Sequence, residues 1–123
     1  MLQGKVWWIT GASSGLGAAL AAAFAARGAR LILSGRNRAA LEAVAAQTKT
    51  PTLTLPFEAT DFDQIASIVD VAWTWAAQNG SGVYGLINNA GVSQRSLAVE
   101  TTFAVYQRII AVDLLAPIAL TQA

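Results

Sequence analysis

The chain has 123 residues, a net charge of +1, and 54% hydrophobic against 12% charged residues. That length suits one domain with a real core, and the near-neutral balance leaves neither a nucleic-acid footprint nor an acidic tail. No cysteine and no histidine occur, which excludes disulfides, thiolate catalysis and zinc–sulfur sites and removes the commonest general base and metal ligand, so no metal is expected.

The N-terminus lacks the charged-then-apolar layout of a secretory signal. The longest unbroken apolar run, Ala18 to Ala26, falls far short of the roughly 20 residues of a membrane span. A cytoplasmic protein without a membrane partner is the expectation.

Lys5 to Thr10 reads as a first strand, almost continuously apolar, as in a parallel sheet covered on both faces. It stops at Gly11, and an alanine-rich helix is expected from Gly17. Leu16, Leu20 and Phe24 recur at helical spacing and predict the stripe that faces the sheet. Gly28 reads as the residue that closes this helix, after Arg27 at its negative end. Arg30 to Ser34 gives the second strand, and Asn37 is placed to cap a helix carrying Leu41 and Val44.

Thr52 to Leu55 follows as a third strand. A third helix is expected near Asp61, with Gln64 completing a capping box and Ile65, Ile68, Val69, Ala72 and Ala76 as its apolar stripe. Trp73 and Trp75 read as packing residues, and Asn79-Gly80 as its end. Val83 to Asn88 is a fourth strand. Helical spacing returns from Thr102 with Phe103, Tyr106, Ile110 and Leu114 on one face, and Pro117 should kink or loosen that helix. Strands alternating with helices predict an α/β fold with a doubly wound parallel sheet.

The chemistry gathers at Thr10-Gly11-Ala12-Ser13-Ser14-Gly15-Leu16-Gly17. A glycine loop running into a helix N-terminus makes an anion site, because the first turn has unpaired N–H groups and the positive end of the helix dipole. Gly11 serves the tight turn, Gly15 the close approach of a phosphate, and Gly17 the packing of helix on strand. The spacing is Gly-x-x-x-Gly-x-Gly, different from Gly-x-Gly-x-x-Gly, and no Gly-Lys-Ser/Thr ending suggests a P-loop.

Together with Asn88-Asn89-Ala90-Gly91 further on, this pattern resembles the short-chain dehydrogenase/reductase family, from Lys5 to about Ala123. The resemblance implies a Rossmann fold, here cut to about four strands, and a chain that is the N-terminal, cofactor-binding half of a longer enzyme or a fragment of one. It implies cofactor contacts from Thr10, Gly11, Ser13, Ser14, Gly15, Leu16 and Gly17, with the two serines either touching phosphate or only shaping the turn. Asn88, Ala90 and Gly91 would line the cofactor path, and Glu58 and Ala59 would close over the adenine, with glutamate where the family usually has aspartate.

Strand two ends in Ser34-Gly35-Arg36, where NAD-binding folds carry an acid for the ribose 2′-hydroxyl. A guanidinium there would hold a 2′-phosphate, so the expected cofactor is NADP(H) rather than NAD(H), with Arg38 a second contact. Asp113 stands where the family places an asparagine in a proton relay; a carboxylate only accepts hydrogen bonds.

The serine and Tyr-x-x-x-Lys that the family uses for hydride transfer are absent here: Tyr84 is followed four residues on by Asn88, and Tyr106 by Ile110. The reading is therefore an NADP-dependent oxidoreductase acting on a small carbonyl or alcohol. This chain alone would bind but not turn over, and the complete form would be a homo-oligomer, a dimer or tetramer. The alternative is a non-catalytic nucleotide sensor or scaffold of the same fold. A sugar-nucleotide epimerase relative fits less well, since those members usually space the glycines Gly-x-x-Gly-x-x-Gly.

Overall fold

A computed structural model describes residues 2–91 and 102–122. Its centre is a four-stranded, all-parallel sheet in the order β3-β2-β1-β4. The strands are β1 (Val6–Ile9), β2 (Arg30–Leu33), β3 (Thr52–Thr54) and β4 (Val83–Ile87). Between them run α1 (Gly15–Ala26), α2 (Arg38–Ala45) and α3 (Ile65–Asn79), and α4 (Phe103–Ile110) and α5 (Ala116–Gln122) follow. This is the expected doubly wound arrangement. The chain moves outward from β1 to β2 and β3, then returns to lay β4 on the other side of β1. Ligands in such sheets bind where the strand order reverses, beyond the carboxyl ends of the strands.

Alternation along the strands feeds two cores. Val6, Trp8 and Ile32 join Ile65, Val69, Ala72 and Ala76 of α3 and Leu120 of α5 on one face. Ile9, Leu31 and Leu33 join Ala21 and Ala25 of α1 and Leu41 of α2 on the other. The buried indole Nε1 of Trp8 donates to Ser34 Oγ at 2.8 Å, which ties β1 to the end of β2.

Several local expectations hold. Asn37 caps α2, its Oδ1 accepting from the Ala40 N–H at 3.1 Å. Helix α1 closes with Gly28 at φ +82°, where the N–H groups of Ala29 and Gly28 donate to the carbonyls of Phe24 and Ala25, the paired pattern of a glycine-terminated helix.

Others are corrected. Helix α1 starts at Gly15 rather than Gly17, and Leu16 is 66% exposed. The face against the sheet is Gly17, Ala21 and Ala25, with Leu20 and Phe24 only at its margin. A Cβ on Gly17 would stand 2.0 Å from the Gly11 carbonyl oxygen; the helix lies too close to the loop for large side chains to fit between. The capping box at Asp61 does not form: a 3₁₀ turn, Phe62–Gln64, precedes α3, and Asp61 makes no side-chain cap.

In the last helical stretch Phe103 and Ile110 are exposed, while Val112, Ala116 and Leu120 are buried; the side chains of Tyr106 and Leu114 lie outside the described set. The shift of face comes with a π-helical segment, Ala111–Leu115, in which the Ala116 N–H donates to the Ala111 carbonyl. Pro117 has no N–H for the Asp113 carbonyl, and a ring there crowds the preceding turn. The helical stretch Phe103–Gln122 is 20 residues long and contains an 18-residue window of mean hydropathy 1.6. By length and composition this helix is long and apolar enough to cross a membrane, although its buried residues pack within the protein.

Candidate functional site

Thr10 and the turn after β4 form the floor of the site. The Thr10 hydroxyl donates to the Ile87 carbonyl at 3.3 Å and accepts from the N–H groups of Asn89 at 2.9 Å and Ala90 at 3.0 Å. One side chain thereby fixes the ends of β1 and β4 against each other. Asn89 adds a brace, its Nδ2 donating to the Gly11 carbonyl at 3.3 Å. Asn88 turns its amide to Thr121 Oγ1 on α5 at 3.2 Å. In this motif the second asparagine braces the glycine loop.

The loop itself explains its glycines. Gly11 has φ +62°, and a Cβ there would come within 2.9 Å of Ala90. Gly15 has φ +58°, with no atom within 4 Å of where its Cβ would stand. The open space lies at the N-terminus of α1, where Ser14 makes no side-chain cap bond. The loop is thus shaped for an anionic group approaching backbone N–H donors.

The far wall is built by the ends of β2 and β3. The Phe57 N–H donates to the Gly35 carbonyl at 3.0 Å, which sets Glu58 beside Arg36. Glu58 Oε1 accepts from Arg108 Nη1 at 2.7 Å, from Thr60 Oγ1 at 2.9 Å and from the Thr60 N–H at 3.3 Å. Its other oxygen lies 3.8 Å from Arg36 Nη1. Burial by itself would raise the Glu58 carboxyl, but the bonds from Arg108 and Thr60 and the Arg108 charge outweigh it and hold the group below its ordinary value of 4.5. Arg108 comes from α4, fifty residues away in sequence, and no sequence pattern pointed to it.

These walls enclose a cleft of about 460 Å³ at the point where the strand order reverses. Of the residues expected from sequence, Thr10, Gly11, Ser13, Ser14, Leu16, Arg36, Glu58, Ala59, Asn88, Ala90 and Gly91 line it. Gly15 and Gly17 do not line it, the latter being packed beneath the loop. Asp113 is exposed and does not line the cleft, although its Oδ1 lies 3.3 Å from where a Gly91 Cβ would stand. Phe57, Asn89 and Arg108 line the cleft without having been singled out. A shallow depression of Ser13, Arg36, Asn37, Arg38 and Ala39 opens nearby.

The family model described as short chain dehydrogenase matches residues 5–123. The chain belongs to the short-chain dehydrogenase family. It is 41% identical over 125 residues to dehydrogenase/reductase SDR family member 7B of Bos taurus, covering 94% of this chain and 37% of that protein. Among solved structures, 3-ketoacyl-(acyl-carrier-protein) reductase from Brucella melitensis, complexed with NADH, superposes with a TM-score of 0.89 at 28% identity, covering 99% of this chain and 49% of that one. A metagenomic short-chain oxidoreductase in complex with NADP superposes at 0.85 and 32% identity, covering 99% and 55%. The short-chain dehydrogenase chain described here thus spans roughly 37% to 55% of the length of these relatives. Its fold is the Rossmann fold of that family, which binds nicotinamide cofactors and acts on small molecules.

Proposed function

We propose that this chain is the NADP(H)-binding half of a short-chain oxidoreductase that transfers a hydride between NADP(H) and a small carbonyl or alcohol. The observation that carries the cofactor choice is the end of β2. Arg36 and Arg38 flank the shallow depression beside the cleft, and no carboxylate lies between Ser34 and Glu42. A 2′-phosphate would find paired charged donors there, whereas the 2′-hydroxyl of NAD would lack its acidic acceptor.

The residues fit the remainder of the dinucleotide as well. The open space over Gly15 and the uncapped N-terminus of α1 suit the pyrophosphate. Ser13, Ser14 and Leu16 flank that position, and Glu58 and Ala59 line the side away from it, where an adenine would lie. Asn88, Ala90 and Gly91 would border the path toward the nicotinamide. The cofactor supplies or accepts the hydride; the chain's own part is to hold it, with Thr10 and Asn89 keeping the two strand ends in register.

Titrating the full chain with NADPH and NADH, using its four tryptophans as the signal, tests the reading. Tight NADPH binding with weak NADH binding is expected. Equal binding, or a preference for NADH, would overturn the assignment of Arg36.

A second reading, nucleotide binding without chemistry, is favoured by Asp113, whose carboxylate accepts but does not donate where the family's asparagine does both. NADPH binding by a longer form of the protein without oxidation of NADPH by any carbonyl would support it. We read the whole as a cytoplasmic enzyme in which Val112, Ala116 and Leu120 seat the stretch 103–122 on the domain, and the exposed apolar face beside them suits a homo-oligomer.

A further inference from the structure

We propose that Arg108 is a positioning residue for cofactor choice: it holds the Glu58 carboxylate to itself and so leaves Arg36 available to a 2′-phosphate. The inference rests on the NADP reading above and deepens it.

A single carboxylate lies between two guanidiniums. Arg108 has the stronger hold, donating to Oε1 at 2.7 Å and to Thr60 Oγ1 at 3.1 Å. Arg36 stands 3.8 Å from Oε2, beyond hydrogen-bond range. Their side chains are 34% and 65% exposed, so Arg108 acts in the drier setting and Arg36 keeps its face to solvent. Arg38 is partly engaged, 3.9 Å from Glu42.

Without Arg108, a shift of about 1 Å would bring Glu58 and Arg36 into a paired bond. The same guanidinium donors would then be shared with an internal carboxylate, and the local balance would lose one positive charge. A 2′-phosphate would have to displace Glu58 before it could bind. A ligand without that phosphate would be little affected. Arg108 therefore acts through Glu58, from an element that need not touch the phosphate.

The test compares 2′,5′-ADP with 5′-AMP by calorimetry on the full chain and on Arg108→Met, Glu58→Gln and the double variant. The unsubstituted chain should prefer 2′,5′-ADP. Arg108→Met should cut that preference, taken as the ratio to its own 5′-AMP affinity, by about three- to tenfold, the size expected for a half-exposed charge competitor, and its circular dichroism spectrum should report that it is folded. Glu58→Gln should preserve or strengthen the preference, and the double variant should regain it.

An unchanged preference in Arg108→Met overturns the inference and leaves the NADP reading standing. A double variant as weak as Arg108→Met also overturns it, because Arg108 would then be touching the phosphate itself. If Arg108→Met does not fold, a fall in preference in Glu58→Gln overturns it instead. No preference in the unsubstituted chain removes the NADP reading and this inference together.

Discussion

Gly15 and Gly17 stand two residues apart in the same helical turn and answer to opposite constraints. Alanine at Gly17 would drive a Cβ to 2.0 Å from a backbone oxygen and 2.7 Å from Asn89 Nδ2. Overpacking of about 3 kcal/mol or more should exceed the roughly 1 kcal/mol that alanine gains in helix propensity. Alanine at Gly15 meets nothing within 4 Å but keeps φ at +58°, a strain of about 1–2 kcal/mol. Urea denaturation should therefore rank Gly17→Ala well below Gly15→Ala in stability. NADPH affinity should fall in Gly15→Ala even where its fold is intact; a Gly17→Ala chain as stable as the parent would contradict the packing argument. Thr10 carries a related load, because Thr10→Val keeps the shape but leaves the N–H groups of Asn89 and Ala90 without their acceptor. The cost should be about 2 kcal/mol, largely recovered in Thr10→Ser, which restores the oxygen.

Helix α1 shows what hydrophobic pattern can and cannot reveal. Ranking by side-chain size picks Leu16, Leu20 and Phe24, yet the sheet receives Gly17, Ala21 and Ala25, because the distance between helix and strand is fixed by a glycine contact that periodicity does not register. Ala21→Leu should accordingly destabilise by about 1–3 kcal/mol, while Leu16→Gln should stay within about 0.5 kcal/mol, both read from urea midpoints. The order of strands and helices was legible, since the strands are short apolar runs and the segments between them carry apolar residues at helical spacing, and the position of the cleft followed from that order. The brace from Asn89 was not legible beside an identical neighbour, and Arg108 was invisible because its partner lies fifty residues away. That pair ties α4 to the loop after β3, and its pH dependence has a definite sign. Glu58 is held below its ordinary value of 4.5, so its contribution is present above that pH and is lost as pH falls through the lower, folded value. The stability difference between the chain and Arg108→Met should be steady near neutrality and shrink as pH falls below the ordinary carboxyl value and Glu58 takes up its proton. Denaturation curves across that range check this, and a gap that persisted in acid would mean that Arg108 stabilises by packing alone.

The whole molecule presents surfaces that a sheet of this kind ordinarily covers. Among the described residues β4 pairs with β1 alone, so its outer edge offers unpaired backbone groups. Tyr84 on that strand is exposed, and Phe103, Ile110, Leu115 and Ile118 of the last helical stretch are exposed as well. Only 12% of the residues carry charge, and a net charge of +1 gives little mutual repulsion to oppose contact. Apolar residues on a helix and an open edge are each tolerable singly, but together on a weakly charged chain they favour association. Sedimentation velocity should show the mean mass rising with concentration in the full chain. Ile110→Glu, at a position 52% exposed, should shift that curve to higher concentration with little loss of fold, because it removes apolar contact area and adds a like charge to both partners. If the substitution leaves association unchanged while the edge of β4 remains intact, the strand edge and not the helix face drives it. A chain that stays monomeric throughout would mean that both surfaces are covered from within.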